Sequence, residues 1–266
     1  MEQKLSKKTR TESDLIGSRE VPESALYGVQ TLRGIENFRI SKFHLNEYPL
    51  FIQALAITKM GAAVANRELE LLTEEQTDAI LKACKEILEG KHHDQFPVDM
   101  IQGGAGTTTN MNANEVIANR ALELMGHARG EYQYCSPNDH VNRSQSTNDA
   151  YPTAIHIGLY YTHLKLVKHF ATLIEAFRKK GAEFAHIIKM GRTQLEDAVP
   201  MTLGQTFNGF ASILEHELKN LDFAAQDFLT VNMGATAIGT GITAEPEYAE
   251  KCIAALRKIT GLDIKL

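Results

Sequence analysis

The sequence has few cysteines and no cluster of them. Cys84, Cys135 and Cys252 are widely spaced and odd in number, and no C-x-x-C pair occurs. The pattern therefore predicts neither a disulfide framework nor a zinc site. Unpaired cysteines are typical of a reducing compartment, and we expect a cytoplasmic protein.

Basic clusters and long apolar runs are also missing. The chain has 28 lysine and arginine residues against 33 aspartate and glutamate residues, a formal net charge of −5. This balance argues against a nucleic-acid partner. No apolar run approaches the roughly 18 residues of a membrane span. The N-terminal segment MEQKLSKKTRTESD contains no apolar stretch that could act as a signal peptide. We therefore expect no membrane association.

Helical periodicity is what the sequence does contain. Apolar residues near helical spacing predict helices over 50–70, 73–88 and 112–126. The second pattern begins with a threonine and has Gln76 three residues later, which predicts a capping box. Before these helices, proline and glycine interrupt residues 13–40, which we interpret as an irregular arm.

Longer helical patterns follow in the second half of the chain. The pattern over 152–190 corresponds to a helix of roughly 55 Å, with Pro152 expected in its first turn. Two more patterns run over 203–231 and 245–260. No strand pattern is recognisable. We therefore predict an all-α fold: a helical N-terminal domain, then the long helices of a central bundle.

The predicted domains are residues 1–142, including the extended arm, and residues 143–266. Apolar residues lie on more than one face of the long helices. The bundle is therefore expected to be incomplete in this chain. The remaining helices would come from other subunits or from further chain.

Three stretches are dense in small polar residues and lie next to predicted helix ends. They are GGAGTTTNMNANE at 103–115, SPNDHVNRSQSTNDAYPT at 136–153 and GRTQLEDAVPMTLGQ at 191–205. Taken singly, each is explained by helix capping and by connections between helices. Taken together, they predict a shared anion site, because helix N-termini and backbone N–H groups favour negative charge.

These stretches resemble the aspartase/fumarase superfamily. DLIGSREVPESALYGVQTLRGIENF at 14–38 and GATAIGTG at 234–241 are similar as well, so the resemblance covers essentially the whole chain. It implies a helical homotetramer in which each active site is assembled from three chains. The implied chemistry is proton removal beside a carboxylate, followed by loss of the group on the next carbon. Of the reactions that this family catalyses, we expect the reversible elimination of ammonia from L-aspartate to give fumarate.

The resemblance also assigns site residues. Thr107, Ser146 and Thr147 are expected to contact the carboxylate on which negative charge develops, and Asn148 to lie near the leaving group. An aci-carboxylate intermediate needs several preorganised donors at one carboxylate. This need for donors would explain why the first two polar stretches contain so many small residues with hydrogen-bond donors.

Thr193 and Gln194 are the implied site residues of the third stretch. Fumarases have a histidine at the position of Gln194. A glutamine accepts a hydrogen bond from –NH₃⁺ but has no proton to give to a departing hydroxide, which favours an amine leaving group. Ser136 stands where fumarases have a histidine of a secondary carboxylate site, and that site is not predicted. A fumarate hydratase and a non-catalytic helical assembly protein remain the alternatives.

The family's catalytic base is not expected in this chain. The resemblance places a base serine, and the lysine and asparagine that bind the other carboxylate, beyond residue 266. No G-S-S-x-x-P-x-K-x-N pattern occurs in the sequence. We therefore expect a fragment of a longer polypeptide that is inactive by itself. No cofactor is expected.

A few other polar residues are also candidates for a site. The HHD segment at 92–94 favours a solvated turn over a metal site, and no metal is predicted. His140 has either a titratable or a structural role beside the second polar stretch. Cys135 is close to the same stretch without the marks of a nucleophile. Arg19 and Arg33 of the arm either reach a site or form surface ion pairs.

Overall fold

The computed structural model describes residues 8–266. The first seven residues of the predicted polar tail, which also begin the predicted domain at 1–142, lie outside the described residues. The chain divides into two compact units. One contains the described residues up to Gly158 together with Leu229–Leu266, and the other is Leu159–Phe228. The domain boundary between residues 142 and 143 stays a prediction.

Helices make up most of the described chain, so the predicted all-α class is confirmed. The α-helices are α1 (Val29–Asn37), α2 (Pro49–Glu68), α3 (Glu74–Leu88), α4 (Thr107–Leu124), α5 (Thr147–Glu183), α6 (Leu203–Ala225) and α7 (Tyr248–Thr260). None of the helices formed by residues 8–266 is long and apolar enough to cross a membrane.

Two short antiparallel hairpins accompany the helices. Their strands are β1 (Thr9–Asp14), β2 (Gly17–Pro22), β3 (Ile188–Thr193) and β4 (Glu196–Thr202). The prediction that the chain has no strands was therefore wrong. Each hairpin is closed by a tight turn, and its backbone groups pair within the hairpin. Such local pairing does not need the alternating apolar pattern of a buried sheet.

The core of the first unit surrounds α2 and α4. α2 packs against α3 and α7, and α4 packs against α1 and α3. Ile52 of α2 and Ile117 of α4 are fully buried. A Cβ on Gly61 would lie 2.6 Å from Cδ2 of Leu256, so glycine at this position allows α7 to approach α2 closely.

The capping box predicted at the start of α3 is confirmed. Thr73 Oγ1 accepts a hydrogen bond from the backbone N–H of Gln76, and Gln76 Oε1 accepts one from the backbone N–H of Thr73, both at 3.2 Å. Glu74 and Glu75 add negative charge in the first turn, near the positive end of the helix dipole.

The long helix predicted over 152–190 exists as α5, but its bounds differ. It begins at Thr147, so Pro152 lies inside the helix rather than in its first turn. Proline has no N–H for the carbonyl four residues earlier. That carbonyl, on Asn148, instead accepts a hydrogen bond from Asn232 Nδ2 at 3.0 Å. The freed carbonyl thus ties the start of α5 to a later loop.

The predicted helical pattern also runs past the true end of α5. α5 stops at Glu183, and residues 188–193 form β3. The apolar residues in this segment continued the helical spacing, but pairing with β4 determines the backbone. The third polar stretch is therefore a hairpin leading into α6, rather than an open connection between helices.

The second unit leaves much apolar surface exposed. α6 has 23 residues, of which only the small residues Gly204, Ala211 and Ala225 are buried. Ile213 is 60% exposed and Phe223 is 82% exposed. The bundle core that these helices would form is therefore not closed within residues 159–228, as the sequence predicted.

Candidate functional site

The first polar stretch folds into a tight loop before α4. Gly104, Ala105 and Gly106 have φ angles of 86°, 51° and 89°, all in the left-handed region. Gly106 is the N-cap of α4 and provides no side-chain cap. Thr107, the first residue of α4, is exposed and donates its hydroxyl to Gly104 O at 2.7 Å.

The second polar stretch caps the N-terminus of α5. Ser146 Oγ accepts a hydrogen bond from the backbone N–H of Asn148 at 3.1 Å. Asp149 Oδ1 in turn accepts one from the backbone N–H of Ser146 at 3.0 Å. Among the described residues, the Ser146 hydroxyl has no acceptor for its own proton, which can therefore point to a ligand. The positive end of the 37-residue helix faces the same place.

Thr147 connects the two stretches. Its Oγ1 accepts a hydrogen bond from Nδ2 of Asn110, which lies on α4, at 3.1 Å. The structure therefore brings the Asn110 end of the first stretch together with the start of α5. The accepted bond leaves the Thr147 hydroxyl proton available for another acceptor.

A buried lysine contacts the Asn110 side chain from the side opposite Thr147. Lys59 is 1% exposed in the middle of α2. Its Nζ donates to Asn110 Oδ1 at 2.8 Å, Asn142 Oδ1 at 3.0 Å and Gln145 Oε1 at 2.8 Å. Burial lowers the pKa of Lys59 to about 7, and the negative charge of Asp149 opposes that shift. Sequence reasoning missed Lys59; the only signal was one lysine inside the apolar pattern of α2.

Asp149 anchors the loop GATAIGTG to the start of α5. The carboxylate is fully buried, and its Oδ2 accepts hydrogen bonds from the backbone N–H groups of Gly234 at 3.1 Å and Thr236 at 2.9 Å. Burial raises the pKa of Asp149, while these N–H donors act in the opposite direction. No site residue had been predicted in this loop.

Asn148 also contacts the same loop. Its Nδ2 donates to Ala237 O at 2.7 Å, and the residue is exposed. The amide is therefore held by one of its donors, while its oxygen remains open to an ammonium or hydroxyl group. The family resemblance implies a position near the leaving group for Asn148, and that role stays a prediction.

Thr193 and Gln194 belong to the other compact unit, Leu159–Phe228. They lie at the end of β3, where Thr193 pairs with Glu196 and leaves a two-residue turn. Gln194 and Leu195 have φ angles of 48° and 71°, the signature of a type I′ hairpin turn. Such angles are strained for residues other than glycine, and strained turns are frequent at functional sites. Both Thr193 and Gln194 are exposed.

The histidines near the end of α3 make local contacts. His92 Nε2 lies 3.0 Å from Glu86 Oε2, and His93 Nε2 lies 2.9 Å from Ile87 O. Within residues 8–266, no group of three histidine, cysteine, aspartate or glutamate side chains is placed to hold a metal ion. His140 Nδ1 accepts a hydrogen bond from the Ser136 backbone N–H at 2.7 Å, and burial lowers its pKa. This contact favours the structural alternative for His140.

The arm arginines form ion pairs. Arg33 binds both carboxylate oxygens of Asp14, at 2.8 and 2.9 Å, and Arg19 lies 3.6 Å from Glu36. Cys135 is buried, and burial raises its pKa to about 12, which opposes thiolate formation. The two arginines therefore favour the ion-pair alternative, and the environment of Cys135 does not activate it as a nucleophile.

The sequence and fold match known lyases. The model of a family described as Lyase matches residues 17–266. Aspartate ammonia-lyase of Pseudomonas fluorescens is 56% identical over 253 residues, covering 95% of this chain and 53% of that protein. Aspartate ammonia-lyase of Escherichia coli (strain K12) is 53% identical over 258 residues, covering 97% of this chain and 54% of that protein. The chain thus spans about half the length of the curated relatives it matches.

Solved structures give the same result. Fumarate lyase:delta crystallin from Brucella melitensis, bound to cobalt, superposes with a TM-score of 0.93 at 51% identity, over 97% of this chain and 56% of that one. Recombinant class II fumarase from Schistosoma mansoni superposes with a TM-score of 0.87 at 35% identity, over 96% of this chain and 53% of that one. The helical architecture is therefore shared with both of these proteins.

Proposed function

The chain belongs to the lyase family whose model matches residues 17–266, and from this membership we propose that the complete polypeptide is an aspartate ammonia-lyase. It would catalyse the reversible elimination of ammonia from L-aspartate to give fumarate, without a cofactor. Relatives with that name are 52–56% identical over at least 95% of this chain. Because the chain spans only about half of their length, the activity is a proposal about the whole protein.

One observation carries the proposal from the structural side: the hydroxyl groups of Ser146 and Thr147 lie together at the N-terminus of α5. Proton removal from the carbon beside a carboxylate leaves an aci-carboxylate dianion. Stabilising it requires preorganised donors at the oxygens where charge develops. Ser146 and Thr147 both accept hydrogen bonds within the protein, so their protons remain for a ligand. Thr107 would be the third contact, with its hydroxyl proton turned from Gly104 O, to which it donates in this structure, toward the carboxylate.

The other predicted residues have roles at the leaving group. We propose that Asn148 accepts a hydrogen bond from the substrate ammonium through its amide oxygen. For Gln194 we propose the same kind of contact, and for Thr193 a contact with the substrate. Asn148 supports this role because its amide nitrogen is already held by Ala237 O. Gln194 favours ammonia over hydroxide as leaving group, because an amide N–H is not acidic enough to transfer its proton to a departing oxygen.

The base serine implied by the family resemblance has no counterpart in this sequence. We propose that it lies in the part of the polypeptide beyond residue 266, so that the 266-residue chain alone does not turn over L-aspartate. Fumarate formation by the purified chain, followed by absorbance, tests this. Turnover of roughly 1 s⁻¹ or more would contradict it, since that is within the range of ordinary enzymes.

A homotetramer is the assembly that we propose. Its support is the exposed apolar surface of α6, where Phe210, Ile213 and Phe223 are all at least 48% exposed. Surfaces of this kind normally pack against other helices.

We also propose a central-bundle domain at residues 143–266 following a first domain at 1–142. A cytoplasmic location is proposed as well, supported by three cysteines that are all free.

The decisive experiment compares kcat/KM for L-aspartate and L-malate in the complete native polypeptide. We expect aspartate to be deaminated and malate to be left almost untouched. The second candidate is a fumarate hydratase, which the likeness to class II fumarase favours; it would show malate preferred over aspartate. Turnover of neither substrate would favour a non-catalytic helical assembly protein.

A further inference from the structure

Lys59 is a buried cation whose three partners are all neutral. Its Nζ donates to amide oxygens of Asn110, Asn142 and Gln145 at 2.8–3.0 Å. Among the described residues, no carboxylate lies within ion-pair distance of Nζ. A buried charge without an ion partner costs folding free energy. The arrangement therefore calls for a role other than stability.

Three donated hydrogen bonds use all three protons of an ammonium group, so Lys59 is protonated in this arrangement although burial lowers its pKa. An ammonium group can only donate, and this decides the orientation of the Asn110 amide. Oδ1 of Asn110 must face Lys59, so Nδ2 faces the opposite way. Nδ2 then donates to Thr147 Oγ1 at 3.1 Å and to Asn142 Oδ1 at 3.2 Å. With the amide reversed, Nδ2 would meet the ammonium donor, and Oδ1 would attract the Thr147 hydroxyl proton. Lys59 thus excludes the orientation in which that proton is consumed inside the protein.

We propose that Lys59 is a positioning residue for the elimination reaction: through Asn110 it directs the Thr147 hydroxyl proton outward, toward the substrate carboxylate. The inference rests on the proposed function of Thr147 as a donor to that carboxylate. The control of the Thr147 hydroxyl would thus start from a side chain on α2, in the core of the first unit.

The charge of Lys59 has a further consequence for the same step. The carboxylate bound by Thr147 gains negative charge when the substrate loses its proton. An ammonium linked to it through one amide polarises that amide, and the Asn110–Thr147 hydrogen bond is strengthened in the same sense. Asp149 does not cancel this effect by direct contact, because its oxygens bind backbone N–H groups of Ser146, Gly234 and Thr236.

The Asn110→Asp variant separates positioning from folding. The new carboxylate keeps an acceptor for Lys59 and forms an ion pair with it, so we expect the melting temperature to be retained. It has no donor for Thr147, whose hydroxyl would then turn inward. We expect kcat to fall by about 10²–10³-fold, the usual effect of losing one oxyanion donor, with a smaller change in KM.

A double-mutant cycle with Thr147→Val tests the route. If Asn110 acts through Thr147, Asn110→Asp should lower kcat by less than about threefold in the Thr147→Val background. Lys59→Met should show the same loss and the same dependence on Thr147. Asn112→Asp is the matched control: Asn112 is equally buried on α4, but its Nδ2 donates to Gln95 O. We expect its kcat to match that of the wild type.

The outcomes separate this inference from the proposed function. The wild-type rates with L-aspartate and L-malate decide the function. The ratio of variant to wild type, on whichever substrate is turned over, decides the role of Lys59. An Asn110→Asp enzyme with kcat within about threefold of the wild type would overturn the inference, and so would an equal loss in both Thr147 backgrounds. A polypeptide that turns over neither substrate would contradict both proposals.

Discussion

Gly106 lies directly against the ring of Tyr151. A Cβ on Gly106 would be 2.5 Å from two ring atoms, and the residue has a φ of 89°. Both the left-handed backbone and the close approach of α5 therefore require glycine. We expect Gly106→Ala to lower the free energy of unfolding by about 2–4 kcal/mol, combining αL strain with overpacking. Urea denaturation of the purified protein measures this.

Gly90 provides the matched control for this prediction. It has a similar φ of 86°, but nothing lies within 4 Å of a Cβ added there. Gly90→Ala should therefore cost only the backbone strain, about 1–2 kcal/mol. Equal losses for the two variants would show that contact with Tyr151 contributes nothing.

Replacing Thr147 by valine should reduce turnover far more than stability. Valine has nearly the same shape but no hydroxyl, so one donor to the developing carboxylate charge is lost. We expect kcat of the complete polypeptide to fall by about 10²–10³-fold. Steady-state kinetics with the proposed substrate measures kcat and KM separately. A raised KM with unchanged kcat would mean that Thr147 binds the ground state and the transition state equally.

Glu115 should make stability depend on pH in the acidic range. It is 2% exposed, and its carboxylate accepts hydrogen bonds from the backbone N–H groups of Gly28, Gln30 and Thr31 at the start of α1. Burial raises the pKa of Glu115 to about 7, although these bonds oppose the shift. In the unfolded chain the group titrates near 4.3.

The sign of the Glu115 effect follows from this difference. Between about pH 4.3 and 7 the folded carboxyl keeps a proton that the unfolded chain has lost, so its contribution to stability declines as pH rises. We expect the free energy of unfolding of the wild type, relative to Glu115→Gln, to fall by at most about 1.4 kcal/mol per pH unit in this range. Above pH 7 the difference should level off. A difference that grows with pH would indicate a lowered pKa instead.

Local signals explain how much of the fold the sequence predicted. The spacing of apolar residues correctly located α2, α3, α6 and α7, and the threonine and Gln76 pair fixed the start of α3. α4 begins earlier than predicted, at Thr107. The backbone N–H of Thr109 donates a hydrogen bond to Gln102 Oε1, and this bond stabilises a first turn whose residues have low helix propensity. Predicted helix ends at 190 and 231 were too late, since β3 and a 3₁₀ turn replace them.

Local sequence signals do not predict the contacts that organise the candidate site. Lys59 meets amides that follow it by 51 to 86 positions, and Asp149 meets the loop 85 positions later at Gly234. A single lysine within an apolar helix has no pattern that identifies its partners. The polar stretches themselves were visible because capping chemistry is local, whereas the network that orients Thr147 is created by packing of α2, α4 and α5.

Gln194 should separate ammonia from hydroxide as leaving group, and Gln194→His should add a titratable group at the same turn. Histidine tolerates left-handed angles better than most residues, so the turn at φ 48° should be kept. We expect some aspartate deamination to remain, with a new pH dependence of kcat/KM between about pH 6 and 8, since free histidine titrates near 6.5.

Gln194→Asn is the control, because it keeps an amide and adds no titratable group. The measurement is the pH profile of kcat/KM for aspartate in wild type and both variants. If the histidine and asparagine variants give superimposable profiles, residue 194 does not face the departing group, and the choice of ammonia over hydroxide must be made elsewhere in the site.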